Sequence, residues 1–335
     1  MSRRRLGERT APSSDVRPGT FMNLPMYDEL PSAEAGGKSA WGVFGRDDSL
    51  GTINLQSAEA VVGAARLVRK GSVFVLNAPL DEFVPPLAPG RGVLRHSVID
   101  RGGGAFDDVV DNIYPQVSSQ WDSLGHVGYR VGRFYNGATA ADVLAGRRNT
   151  IEHWARRGIV GRGLVLDVAR ARTEVGRAFD PGLAEGLGVE DLELARRRAG
   201  LEFKHGDILL LRTGFLGWYR SLSTKARSSL PASLTSPGLD HDEALVRYLW
   251  DAGVSAVAAD NFAVEVWPPD PTAGVFGFLH RVLIGQMGLA LGELWDLDML
   301  AADCAADGIA ACLVVSAPLY LNGGIGSPAN AVALK

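Results

Sequence analysis

Along the chain, apolar runs with β-branched residues, bounded by Gly or charged side chains, recur at Ser72–Leu76, Leu94–Ile99, Gly163–Val168, Asp207–Arg212, Val254–Ala259 and Ala310–Ala317. Continuous apolar runs this short predict buried strands. Helical patterns lie between several of them. Ser57 is placed to cap a helix through about residue 69, with Val61, Ala64, Ala65 and Val68 on one face and Gly71 as its stop. Asp240 and Glu243 make an acidic capping box ahead of Leu245, Leu249 and Ala252, and Gly253 ends that pattern. Strands and helices interleave along the whole length, which predicts an α/β fold.

The 335 residues allow one large domain or two modest ones. No Pro- or Ser-rich linker divides them, and the polar stretch Ser221–Pro237 reads as a surface insertion. The expectation is a single domain over residues 21–335, preceded by a basic arm over residues 1–20 that opens with Ser2-Arg3-Arg4-Arg5. With 34 Lys and Arg against 38 Asp and Glu, and no long basic stripe, the surface lacks the phosphate-neutralising charge that nucleic acids require. No run approaches the roughly 18 apolar residues of a membrane span, and the basic start is not followed by the apolar stretch of a secretory leader. Two cysteines, Cys304 and Cys312, are too few for a disulfide framework or a four-thiolate zinc site, so both are expected as packed, reduced thiols of a cytoplasmic protein.

Three clusters carry candidate chemistry. In Gln116-Val-Ser-Ser-Gln120-Trp121-Asp122-Ser-Leu-Gly-His126, amide, amide, carboxylate and imidazole follow one another closely. Asp122 can fix the tautomer of His126 and raise its basicity, as general acid/base chemistry requires; equally, Asp122 can cap a turn beside a His that is only hydrogen-bonded. Asp260-Asn261-Phe-Ala-Val-Glu265-Val-Trp267 follows the apolar run Val254–Ala259, where α/β folds place ligand-binding residues, or where a turn simply begins. His280 opens an apolar helix, Gly288 breaks it, and the run Leu289–Leu291 returns the chain to Glu293; a His–carboxylate pair of this kind can bind a metal, although either residue alone is more often a surface group. Gly324-Ile-Gly326-Ser-Pro-Ala329 fits a dinucleotide fingerprint but leaves no room for a following helix and strand, and Gly102-Gly103-Gly104 lacks the Lys of a phosphate loop.

Taken together, the clusters resemble the cyclase family, the hydrolase superfamily that includes bacterial kynurenine formamidase and isatin hydrolase. The resemblance runs from Trp41-Gly and Asp47-Asp-Ser-Leu-Gly-Thr-Ile-Asn54, through Gln120-Trp-Asp-Ser-Leu-Gly-His126, Gly158–Asp167 and Gly206–Gly214, to Asp260, His280, Gly292-Glu293 and Gly326-Ser-Pro328. It implies a swivelling β/β/α fold, assembly as a homodimer or tetramer, and a site partly built at subunit contacts. The family signature H-x-G-T-H-x-D-x-P-x-H falls on Gln116, Gln120, Asp122 and His126, so both metal-binding imidazoles are amides here, while the downstream ligands correspond to His280 and Glu293. A longer-chain branch of the family with Gln-Trp-Asp at the motif is more similar still.

The resemblance implies an enzyme acting on a small carbonyl compound, by metal-assisted hydrolysis of an amide or lactone. Asp122, His280, Glu293 and Gln120 would hold a divalent metal, Mn, Mg or Zn, with the carboxamide favouring a hard cation over zinc. His126, Asp122 and Glu293 would be catalytic, and Gln116, Gln120, Trp121, Trp41, Glu265 and Trp267 would meet substrate. The alternative is a metal-free cyclase or dehydratase of secondary metabolism that uses His126 and Asp122 as acid and base. A third reading is a non-catalytic binder with Trp41, Trp121, Phe134, Tyr135 and Trp267 as its aromatic pocket.

Overall fold

The computed structural model describes residues 24–335, so the arm expected over residues 1–20 lies outside the described residues. Thirteen strands follow in chain order: β1 (Val73–Val75), β2 (Arg95–Gly102), β3 (Ala105–Asp111), β4 (Gln120–Asp122), β5 (Ile159–Asp167), β6 (Gly186–Leu187), β7 (Ile208–Arg212), β8 (Gly238–Leu239), β9 (Ala256–Ala259), β10 (Ala290–Glu293), β11 (Ala311–Ser316), β12 (Gly326–Pro328) and β13 (Ala331–Leu334). Nine of them form one mixed sheet in the order β1-β13-β11-β5-β7-β9-β10-β4-β12. At its centre β5, β7, β9 and β10 run parallel, and antiparallel neighbours extend it on both sides. The α/β class expected from the sequence is the class observed.

Parallel strands buried on both faces need apolar side chains at every position. Ile208–Leu211 and Ala256–Ala259 meet that need with no exposed surface at all. Helices Ala58–Ala65, Val189–Arg198 and Asp298–Asp307 pack against β5. A smaller apolar cluster gathers around Phe83, Phe215, Tyr219 and Phe262. Cys304 and Cys312 are buried free thiols, as expected. Among the described residues no helix is long and apolar enough to cross a membrane.

The structure corrects three local expectations. The run Leu94–Ile99 is not a buried strand: among the described residues β2 pairs only with β3, in a hairpin exposed along almost its whole length, with Val98 61% and Phe106 65% accessible. The helix from Ser57 ends at Ala65 instead of about residue 69, because Leu67 and Val68 bond back to Ala64 and Ala65 in tighter turns and Lys70 turns to pair with Lys335. Ser57 does cap it, accepting from Ala60 N. The helix Glu243–Asp251 is capped by Asp242, whose carboxylate accepts from Ala244 N, and not by Asp240.

Candidate functional site

β4 is three residues long, yet it fixes the centre of the site. It lies between β10 and β12, with Glu293 opposite Gln120, and with Leu291 and Gly326 opposite Asp122. Side chains alternate along a strand, so Gln120, Asp122 and Glu293 share one face of the sheet while Trp121 projects from the other. Glycines leave room on both faces, Gly292 on the face of Trp121 and Gly326 on the face of Asp122. A Cβ at Gly292 would stand 2.6 Å from Trp295 Nε1, and one at Gly326 would stand 2.5 Å from Gln116 Nε2.

His280 reaches the same point from the short helix Leu279–Leu283. Its Nε2 lies 3.1 Å from Glu293 Oε1 and 3.8 Å from Asp122 Oδ2, while its Nδ1 lies 2.6 Å from Glu265 Oε1. Glu265 also accepts from the backbone N–H of His280 at 2.9 Å and from that of Leu279, which ties the ring and the start of the helix to one carboxylate. The backbone bends sharply beside both acidic groups. Ala263 (φ 75°) and Val264 (φ 59°) precede Glu265, and Leu294 (φ 57°) follows Glu293. A positive φ at a β-branched residue is costly and persists where the surrounding structure enforces it.

Asp122, His280 and Glu293 are buried, and each offers one ligand atom within 4.8 Å of the others. Burial works against the charge on His280, but the carboxylates of Asp122, Glu265 and Glu293 around the ring outweigh it and raise its pKa well above the ordinary value. Burial would likewise raise the Asp122 carboxyl, yet His126, His280 and Arg91 hold it below its usual range. The Gln120 amide nitrogen donates to Glu293 Oε2 at 3.0 Å and lies 3.4 Å from both Asp122 oxygens. Gln120 Oε1 is buried with no hydrogen-bond partner among the described residues. Two carboxylates, an imidazole whose far nitrogen is held by a third carboxylate, and an unspent carboxamide oxygen suit a hard divalent cation.

The family profile described as "Putative cyclase" matches residues 74–266. The chain belongs to the cyclase family. The crystal structure of a novel cyclase is 30% identical to it, with a TM-score of 0.77 over 89% of this chain and 99% of that one. Isatin hydrolase A from Labrenzia aggregata bound to benzyl benzoate shares the fold, at 19% identity and TM-score 0.57 over 82% of this chain and 97% of that one. An isatin hydrolase bound to the product analogue thioisatinate does so at 16% identity and TM-score 0.57, over 83% and 99% of the two chains. No curated protein matches the chain in sequence.

In this cyclase-family chain the structure brings together five residues that the sequence singled out. Besides Asp122, His280, Glu293 and Gln120, His126 stands at the edge of the group with Nε2 3.7 Å from Asp122 Oδ1, and its ring is 24% exposed. Gln116 packs on Gly326, the register partner of Asp122, and its carbonyl accepts from Arg91. Glu265 is present but stands behind His280.

The aromatic residues are scattered. Trp121 is fully buried on the opposite face of β4, edge-on to Trp154 and Trp295, with Nε1 bonded to Ser316 Oγ at 2.8 Å. This corrects its assignment to substrate contact: it is a core residue of the sheet. Trp41 lies edge-on to Tyr129 and donates Nε1 to Gly285 O, Trp267 packs on Phe262, and the Tyr135 hydroxyl meets Asp48. Among the described residues none of the five rings of the expected aromatic pocket stacks on another.

The sequence reading missed Arg91, which contributes to the field at Asp122 from a segment with no chemical motif. It also missed His241, whose Nε2 lies 3.2 Å from Glu265 Oε2.

Proposed function

We propose that this cyclase-family chain is a cation-assisted hydrolase that opens a small cyclic amide or lactone to the corresponding acid. The observation that carries the reading is the buried group Asp122, His280 and Glu293, with the unpartnered Gln120 Oε1 beside it and His126 at its open edge. Asp122, His280, Glu293 and Gln120 would hold the cation. When bound, it supplies polarisation of a carbonyl oxygen and a lowered pKa for water at the site.

The protein side chains do the remainder. Glu265 fixes which nitrogen of His280 carries the proton and aims the other at Asp122 and Glu293. Asp122 orients His126, which is close enough to solvent to exchange protons and close enough to the buried group to serve the reacting atoms. Water adds its oxygen to the carbonyl carbon, the ring C–N or C–O bond breaks, and His126 transfers the proton from the water to the departing nitrogen or oxygen. Isatin hydrolases with this fold support a hydrolytic reading of the site.

A second reading, a cation-free cyclase or dehydratase, is favoured by one feature. The Gln120 amide already lies against both carboxylates and would equally serve as a donor to a carbonyl oxygen gaining charge. The exposed β2–β3 hairpin supports assembly as a homo-oligomer, since an uncovered two-stranded hairpin is only marginally stable in water.

The test is a panel of cyclic amides and lactones assayed for acid release with and without Mn²⁺. Ring opening that needs the cation, with kcat lowered about 10²- to 10⁴-fold in a folded His126→Ala variant, supports the hydrolase. Turnover that survives exhaustive chelation moves the assignment to the second reading.

A further inference from the structure

Arg91 is a permanent charge beside the site for which the hydrolytic scheme has no use. The segment that carries it is pinned from two sides. Gly92 lies so close to the base of the β2–β3 hairpin that a Cβ there would collide with the Asn112 amide and stand 2.9 Å from Tyr114 Cε2, and Asn112 Nδ2 donates to Val93 O at 2.9 Å. Arg91 itself is half-buried and donates from Nη1 to the backbone carbonyl of Gln116. The Gln116 side chain packs on Gly326, the register partner of Asp122, so the guanidinium stands beside the buried acidic group and its charge reaches Asp122. A guanidinium offers five N–H donors. Among the described residues Arg91 spends one of them and forms no ion pair. The half-buried Arg162, Arg212 and Arg220, by contrast, each meet at least one carboxylate.

We infer that Arg91 is a substrate-binding residue that receives an anionic group, so that the substrate is a cyclic amide or lactone bearing a carboxylate away from the bond that breaks. The inference rests on the proposed hydrolase and names the substrate class of that same site. A half-buried charge without a counter-ion has given up part of its water for no partner, and an anion entering the site supplies one. The planar fork of the guanidinium matches a carboxylate with two parallel hydrogen bonds, and a neutral amide or hydroxyl brings no charge to that match. One guanidinium neutralises one charge, which fits a carboxylate better than a dianionic phosphate. The buried end of the site has the opposite sign: Asp122, Glu265 and Glu293 repel an anion. These opposed charges orient the substrate, its anionic group toward Arg91 and its neutral carbonyl toward Asp122, His280 and Glu293.

The probes are the 4-, 5- and 6-carboxylates of the lactone phthalide, each paired with the carboxamide of the same shape. Their binding to the chelator-treated full-length protein is measured by calorimetric titration for wild type, Arg91→Gln and Arg91→Lys, and ring opening is assayed separately with Mn²⁺. At least one carboxylate is expected to bind wild type about 10-fold or more tightly than its carboxamide, the effect of a hydrogen bond to a charged group. In Arg91→Gln that preference should shrink to within about twofold through loss of carboxylate affinity, and Arg91→Lys, which keeps the charge without the fork, should retain part of it. Wild type that binds no carboxylate more tightly than its carboxamide would overturn the inference, as would a preference that survives in Arg91→Gln. If Arg91→Gln does not fold, Arg91→Lys decides: a preference as large as that of wild type contradicts recognition by the fork. Carboxylate preference that depends on Arg91, with no ring opening of any probe in Mn²⁺, would count against the proposed function and uphold the role of Arg91.

Discussion

Gln120 and Glu293 face one another across the β4–β10 ladder, and the amide nitrogen of Gln120 donates to Glu293 Oε2 at 3.0 Å. The same nitrogen stands 3.4 Å from both oxygens of Asp122, so one neutral group bridges two buried carboxylates. Together with the His280 ring it supplies the N–H donors that the two charges need when no cation is bound. Rotating the amide about its terminal bond exchanges Nε2 for the unpartnered Oε1, which turns a donor to two carboxylates into a fourth cation ligand.

Replacing Gln116 and Gln120 together by His tests that reading. Imidazole nitrogens bind Zn²⁺ and Mn²⁺ better than carboxamide oxygens do, so the double variant is expected to hold Zn²⁺ at least 10-fold more tightly than wild type by competition with a chelating dye. Unchanged affinity would mean that these two positions do not face the cation.

The His280 ring predicts a pH dependence for the cation-free protein. Its pKa is raised from the ordinary 6.5 in the folded chain, so its contribution to stability is complete below about pH 6.5 and is lost as the pH climbs through the raised value. Tm without metal should therefore fall on the alkaline side of neutrality, and fall less in His280→Gln. Cation binding displaces the same proton, so Mn²⁺ affinity should rise with pH, by up to about tenfold per unit. A Tm profile of the same slope in wild type and His280→Gln would contradict this assignment of the proton.

The hairpin gives a prediction about assembly. Arg95 and Asp111 are register partners at its base, so a short Gly-Ser linker can close the chain there. Light scattering is expected to show a homo-oligomer for wild type and its loss after removal of residues 96–110, with the cation site intact. A variant with the mass of wild type would show that the hairpin covers no partner subunit.

The sequence made the central sheet legible for a definite reason. Strands such as β7 and β9 are enclosed on both faces and therefore appear as unbroken apolar runs, whereas β4 is short and polar and was noticed only for its chemistry. β2 was misread because Val98 and Ile99 give an apolar run whether or not anything covers them. Trp121 could have been placed from the strand period alone, since a face that carries Gln120 and Asp122 excludes the residue between them. Glu265 behind His280 had no such signal. The two are joined through a loop that depends on the left-handed backbone of Ala263 and Val264, which residue types do not announce, and His241 reaches Glu265 only through the tertiary fold.

Calorimetric titration of the chelator-treated protein with Mn²⁺ decides whether Asp122, His280, Glu293 and Gln120 hold one divalent cation. One Mn²⁺ per chain is expected in wild type, with at least 10-fold weaker binding in folded Asp122→Asn and Glu293→Gln variants, each of which removes one of two buried charges. Wild-type protein that takes up no Mn²⁺ or Mg²⁺, or variants that bind as tightly as wild type, would contradict it.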